Sequence, residues 1–161
     1  MKNSIILLSV LMILISCQSE PSKNTSSADL PAETNMDASK TLVVPWSVEI
    51  NDSTHLMEIR KDPAADMTNL GPNDIVDALN LKYPKIKLVW EKQEGEKAFV
   101  RIDDAAFLTQ ASGTEGAQAY LAEVTYSLTE LPGIGIVQFS FKEGDHARPG
   151  TYTRASFEGF N

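Results

Sequence analysis

Two pairs of neighbouring side chains in this sequence have the chemistry for acid–base or metal-assisted catalysis. Asp103 is followed directly by Asp104, and Asp145 is followed directly by His146. Paired carboxylates bind calcium or act as acid and base, and a carboxylate beside a histidine can activate a nucleophile. A small hydrolase, or a metal- or ligand-binding protein, that uses Asp103, Asp104 and His146 is therefore one hypothesis for this chain.

The same residues also have a structural interpretation. Adjacent side chains of a strand point to opposite faces, so Asp103 and Asp104 share a site only if the chain turns there. We expect one acid to cap a turn and the other to be solvated, and His146 to lie in an exposed loop. The sequence contains no Gly-x-Ser-x-Gly or His-Glu-x-x-His motif. We therefore expect no enzyme, with no catalytic residue, no metal ligand and no cofactor.

The segment that follows Phe107 is a candidate ligand loop. It places small polar groups just before a predicted helix, where free amide groups and the helix dipole attract anions. The residues that would form this anion site are Thr109, Gln110, Ser112, Gly113 and Thr114. The alternative is an ordinary loop that packs Phe107 into the core, with Ser112 and Glu115 as a capping box at the helix start.

The only cysteine, Cys17, closes an apolar run that follows Lys2. This run is too short to span a bilayer, and with its basic start it is typical of an export signal. The sequence LISC at residues 14–17 fits the lipobox of a bacterial lipoprotein at all four positions. We therefore expect residues 1–16 to be a signal peptide and Cys17 to carry diacylglycerol and a further acyl chain such as palmitate.

The lipid would attach the protein to a membrane outside the cytoplasm. In the enteric sorting rule, an aspartate after the cysteine retains a lipoprotein in the inner membrane, and this sequence has Gln18 there. Gln18 favours the periplasmic face of an outer membrane over the outer face of the cell membrane. The formal net charge of −8 argues against nucleic acid or an anionic lipid surface as a partner, because both require basic patches.

Composition divides the rest of the chain into a tether and one domain. Residues 17–40 are rich in Ser, Asn, Thr, Ala, Asp and Pro and poor in large apolar residues. Such a segment buries too little surface to offset its loss of chain entropy, so we expect a flexible tether. Residues 41–161 are sufficient for a single modest core.

Hydrophobic periodicity predicts the elements of this domain. Alternating apolar and polar residues predict strands at 46–50, 55–60, 86–90, 98–102 and 137–141. Helical spacing predicts two helices, at 72–83 and 117–131. An edge strand is a further possibility at 151–157. The predicted fold is α+β, a two-layer sandwich in which two helices cover one face of a mixed or antiparallel sheet of four to five strands.

Residues 98–107 read AFVRIDDAAF, and residues 116–133 read GAQAYLAEVTYSLTELPG. The first segment resembles a strand, and the second resembles a helix, of the GerMN (sporulation and spore germination) domain. The sequence VQF at 137–139 follows as the family's next strand does. The resemblance covers about residues 47–141.

The resemblance implies an extracytoplasmic α+β domain without established catalytic residues, in a family that also occurs on bacterial lipoproteins. We therefore expect a lipid-anchored module that binds an envelope protein or associates with peptidoglycan. A small-ligand or glycan site at Trp46 or Trp90 is a third hypothesis, although both alternate with polar residues as core positions do.

Overall fold

The N-terminal strands form a hairpin of their own. The computed structural model describes residues 41–160, in which β1 (Trp46–Ile50) pairs antiparallel with β2 (Met57–Lys61). Asn51 forms the turn, since its Oδ1 accepts the N–H groups of Ser53 and Thr54 at 2.8 and 3.1 Å. This side-chain turn explains why Asn stands where the first strand ends.

A mixed sheet of four strands follows. Its strands are β3 (Leu88–Glu94), β4 (Lys97–Ile102), β5 (Ile136–Ser140) and β6 (Gly150–Tyr152), and they lie in this order. The central pair, β4 and β5, is parallel, and the two outer pairs are antiparallel. The parallel pair requires a long crossover, which the chain makes through its longest helix.

Two α-helices pack with these strands around one core. Helix α1 (Pro72–Lys82) contacts β3, and helix α2 (Gly113–Leu128) contacts both sheets and α1. Proline at the start of α1 suits the first helical position, where no N–H is needed. The largest fully buried apolar side chains come from both α-helices, from three strands and from the segment Phe107–Ala111: Ile75, Leu79, Leu88, Val100, Ile102, Leu108, Tyr120, Val124, Leu128, Val137 and Phe139.

The structure confirms the α+β fold class, and it adds two features to the prediction. The first hairpin forms a separate two-stranded sheet that rests on α2 instead of joining the larger sheet. The C-terminal segment forms the short strand β6 and then a 3₁₀ turn, Arg154–Phe157, in place of one long edge strand.

The expected loop before α2 is a turn of π-helix, Phe107–Ala111. The predicted capping box is wrong, because the Ser112 hydroxyl donates backwards to the Leu108 carbonyl at 2.7 Å. Ser112 itself has helical backbone angles, and the chain changes direction only at Gly113, where φ is +72°. A glycine adopts that left-handed conformation without steric cost.

One buried carboxylate connects the hairpin to both helices. Glu123 of α2 is only 1 % exposed, and its Oε1 accepts the Val48 N–H of β1 at 2.7 Å. The Lys82 ammonium, at the end of α1, lies 2.9 and 2.8 Å from the two carboxylate oxygens. The Tyr83 hydroxyl donates to Oε2 at 2.6 Å. The carboxylate is therefore both ion-paired and fully hydrogen-bonded, which is the condition for burying a charge without large cost.

We predict that Glu123→Gln lowers the free energy of unfolding by about 2–4 kcal/mol, because it leaves the Lys82 ammonium without its counter-charge and gives up charge-assisted hydrogen bonds. Urea unfolding of the full-length chain at pH 7 measures the change. Glu115→Gln is the matched control in the same helix, since Glu115 is exposed. Equal stabilities for the two variants would contradict the role given to Glu123.

Candidate functional site

The side chains of Asp103 and Asp104 both contact residues of their own chain segment. The Asp103 carboxylate forms an ion pair with Arg101, and Asp104 Oδ1 accepts the Ala106 N–H at 3.0 Å, which closes a turn. Both acids, together with Lys142, line a cleft with a volume of about 190 Å³. They mark the end of β4, where the chain leaves the sheet and enters the π-helical turn.

His146 lies in a different cleft from the two acids. Its Nδ1 is 3.2 Å from the Thr114 hydroxyl, and its ring lines a cleft of about 380 Å³ with Tyr152 and Phe157. Burial raises the pKa of Tyr152, against the opposing effect of Arg148. The two acids and the His146 ring therefore line different clefts, although the His146 N–H donates to the carbonyl of Thr109, which lines the cleft of the two acids. The hydrolase hypothesis stays a prediction. Among residues 41–160, no three His, Asp or Glu side chains form a group that could hold a metal ion.

The residues of the candidate anion loop also separate. Thr109 is buried, and its hydroxyl donates to the Ala105 carbonyl at 2.9 Å. Gln110 lines the cleft that contains Asp103 and Asp104, whereas Thr114 contacts His146. Gly144 packs against Thr109 so closely that a Cβ there would lie 2.6 Å from the Thr109 Cβ. These contacts hold the π-helical turn against the loop before β6. An anion ligand at Thr109, Gln110, Ser112, Gly113 and Thr114 stays a prediction.

Trp46 is part of a cluster that joins the hairpin to the C-terminal segment. Its Nε1 donates to Glu130 Oε2 at 3.0 Å. The Arg154 guanidinium lies 5.0 Å from the ring centroids of both Trp46 and Tyr126, and it also binds Glu130 at 2.9 Å. Lys61 completes the cluster through its ion pair with Glu130. The indole thus has cations beside its ring and its N–H occupied, and these contacts serve the packing of the domain.

Glu130 is the acid with the most strongly lowered pKa among the described residues for which a value is resolved. Its hydrogen bond with Lys61, followed by those from Arg154 and Trp46, lowers its pKa from 4.5 to about 2, against the opposing effect of burial. The carboxylate therefore stays charged in the folded state at any pH near neutrality.

A cleft lined by both apolar and polar side chains opens at the tip of the hairpin. Ile50 and Leu56 flank the turn and are 64 % and 60 % exposed. Together with Met57 and Phe160, they line this cleft, which has a volume of about 260 Å³. We call this surface the tip cleft. Gln118 and Phe160 also line the cleft that contains His146, so the two adjoin.

The sequence pattern placed Ile50 with Trp46 and Val48 on the half-buried face of β1, and this is wrong for Ile50. Trp46 contacts Glu130 and Val48 contacts Glu123, so β1 runs along α2 in the opposite direction. Ile50 therefore lies near the N-terminal end of α2, where the cleft leaves it exposed.

A further cleft lies where α1 ends. It measures about 230 Å³, its surface is almost entirely apolar, and its lining residues are Lys82, Tyr83, Pro84, Lys85, Ile86 and Phe107. We call it the lysine cleft. The Lys85 ammonium lies 4.8 Å above the Phe107 ring. Burial, together with the hydrogen bond to Glu123, raises the pKa of Tyr83, so its hydroxyl remains a donor.

Comparison of the chain with protein-family models, curated proteins and solved structures found no match. The resemblance to the GerMN domain therefore stays a prediction from the sequence. Cys17, with the signal peptide and the tether, lies outside the described residues 41–160. None of the helices in that described range is long and apolar enough to cross a bilayer.

The cluster around Glu130 predicts a specific pH dependence. The pKa of Glu130 is about 2 in the folded protein and 4.5 in the unfolded chain. The contribution of the Glu130 charge to the free energy of unfolding is therefore complete above pH 4.5 and is lost as the pH falls towards 2. We expect Glu130→Gln to lower the free energy of unfolding by about 1–3 kcal/mol at pH 6. At pH 2 we expect the variant and the unmodified protein to have equal free energies of unfolding.

Urea unfolding at these two pH values measures the difference. Glu94→Gln is the control, because Glu94 forms an exposed pair with Lys92 and should cost less than about 1 kcal/mol. A penalty for Glu130→Gln that is the same at both pH values would show that its charge is not responsible.

Proposed function

We propose that this chain is a lipid-anchored bacterial envelope protein whose GerMN-like domain binds another envelope protein as an assembly module. The observation that carries the proposal is the tip cleft, which two large and exposed apolar residues, Ile50 and Leu56, both line. The anchor is Cys17 in the LISC sequence, and the segment at residues 17–40 serves as a tether.

The chemistry of the tip cleft supports a protein partner. Contiguous exposed apolar side chains are characteristic of interaction surfaces, because a partner removes them from water. Met57 and Phe160 extend the apolar area, and Glu115 and Gln118 provide a polar rim. Protein interfaces likewise combine apolar and polar side chains.

The anchor and the tip cleft have complementary roles in this proposal. Two or more acyl chains on Cys17 give stable attachment to the periplasmic face of an outer membrane or to the outer face of a cell membrane. The tether lets the domain search the nearby envelope, which raises the effective concentration of a partner there. Peptidoglycan is the alternative partner, and the crosslinking experiment below separates it from a protein.

We predict that Cys17→Ser abolishes incorporation of radiolabelled palmitate and moves the protein from the membrane fraction to the soluble fraction. The reason is that Cys17 is the only thiol in the chain that can form the thioether. Ser22→Ala leaves the thiol and the LISC sequence unchanged and serves as the control. Continued labelling of Cys17→Ser would contradict lipidation at this residue.

We also predict that the double variant Ile50→Ser with Leu56→Ser reduces formaldehyde crosslinking to its envelope partner at least about fivefold, as expected for loss of the apolar centre of an interface. The adduct is quantified by immunoblotting of the membrane fraction from the cells that make this protein. Leu81→Ser is the matched control, because Leu81 is an equally apolar side chain, 73 % exposed, outside the tip cleft.

Adducts that are unchanged in the double variant would contradict the role of the tip cleft. Adducts that disappear when the peptidoglycan is digested with lysozyme would identify the cell wall as the partner and overturn the assignment to a protein.

A further inference from the structure

The lysine cleft carries positive charge that the domain does not neutralise. Most described cations lie beside a carboxylate, as Lys61 does beside Glu130 and Arg148 beside Glu143. Within residues 41–160, no carboxylate lies within ion-pair distance of Lys85 or Lys87. This local excess is notable in a chain whose formal net charge is −8.

The walls of the cleft are held in place before any ligand binds. Tyr83 donates its hydroxyl to the buried Glu123 carboxylate, and Lys82 binds the same carboxylate. Ile86 is buried in the core, and Phe107 packs against the core from the π-helical turn. A cleft whose lining is already ordered loses little conformational entropy on binding.

Apolar lining and unpaired cations together specify the ligand. The apolar cleft, with a volume of about 230 Å³, favours a large apolar side chain, and the ammonium of Lys85 lies over the Phe107 ring. Lys87 is exposed two residues further on. A chain segment with carboxylates on both sides of an aromatic residue would therefore satisfy the apolar cleft and the lysines at once.

We propose that the lysine cleft binds an extended acidic segment of an envelope protein through one aromatic side chain, with the flanking carboxylates at Lys85 and Lys87. This inference rests on the proposed function of the chain as an assembly module. An anionic bilayer is the less suitable occupant, because the net negative charge of the protein opposes its approach to such a surface.

A photoaffinity peptide tests the proposal on the full-length chain in a mild detergent. The probe has the sequence Asp-Glu-X-Glu-Asp, in which X is p-benzoylphenylalanine, and the control peptide has lysine in place of every acid. We expect saturable labelling by the acidic probe that mass spectrometry places within residues 82–87 or at Phe107.

The variants locate the charge contribution. We expect Lys85→Glu to raise the probe concentration for half-maximal labelling about fivefold to tenfold, as for reversal of one exposed ion pair. Lys142→Glu makes the same charge change at another exposed lysine, for which no carboxylate of residues 41–160 lies within ion-pair distance, and it should leave labelling unchanged. Both side chains are exposed, so neither change should unfold the domain.

Three results would overturn the proposal: equal labelling by the lysine peptide, labelling outside the cleft, or an equal loss of labelling in both variants. Competition by phosphatidylglycerol vesicles, with no competition by a non-photoreactive acidic peptide, would assign the cleft to a lipid surface instead and would also overturn it. These failures are separate from failure of the proposed function, because the crosslinking test of the tip cleft uses Ile50 and Leu56 in the native envelope.

Discussion

The structure depends on one buried charge, the Glu123 carboxylate. It accepts hydrogen bonds from the backbone of β1, from the ammonium that ends α1 and from the hydroxyl of Tyr83. Without them, the desolvation of a carboxylate would oppose folding, so all three elements must be in place together. Glu130, just beyond the end of α2, binds the other end of the hairpin through Trp46 and Lys61. Two acids thus attach a small hairpin that has no core of its own.

This constraint also positions the two surfaces to which we assign binding. The alignment of β1 along α2 brings the hairpin tip to the start of the helix, where the tip cleft opens beside Gln118. The same carboxylate fixes Lys82 and Tyr83, which form one wall of the lysine cleft. Binding surfaces built on packed elements need little reorganisation when a partner arrives. In the function that we propose, this pre-organisation lowers the entropic cost of binding an envelope partner.

Periodicity predicted most elements of the fold, and local pattern alone could not predict the contacts between them. The strands and helices follow from alternating and helical spacing, but the separate position of the first hairpin depends on contacts of Glu123 with residues 75 and 41 positions away. One signal was available: α2 is apolar on most sides, so a glutamate within it requires a buried partner. That Asp103 and Asp104 line one cleft and His146 another was not visible in the sequence, because it depends on how the π-helical turn packs against the loop around Gly144.

Hydrogen exchange at the Val48 amide tests the central claim most directly. Val48 belongs to a short two-stranded sheet, and its N–H donates to Glu123. If that carboxylate holds the hairpin to the helices, the Val48 amide opens only when the domain unfolds and exchanges as slowly as the Val100 amide in the central strand β4. Exchange of Val48 many times faster than that of Val100, in the full-length protein at pH 7, would show that the hairpin opens independently and would contradict the account.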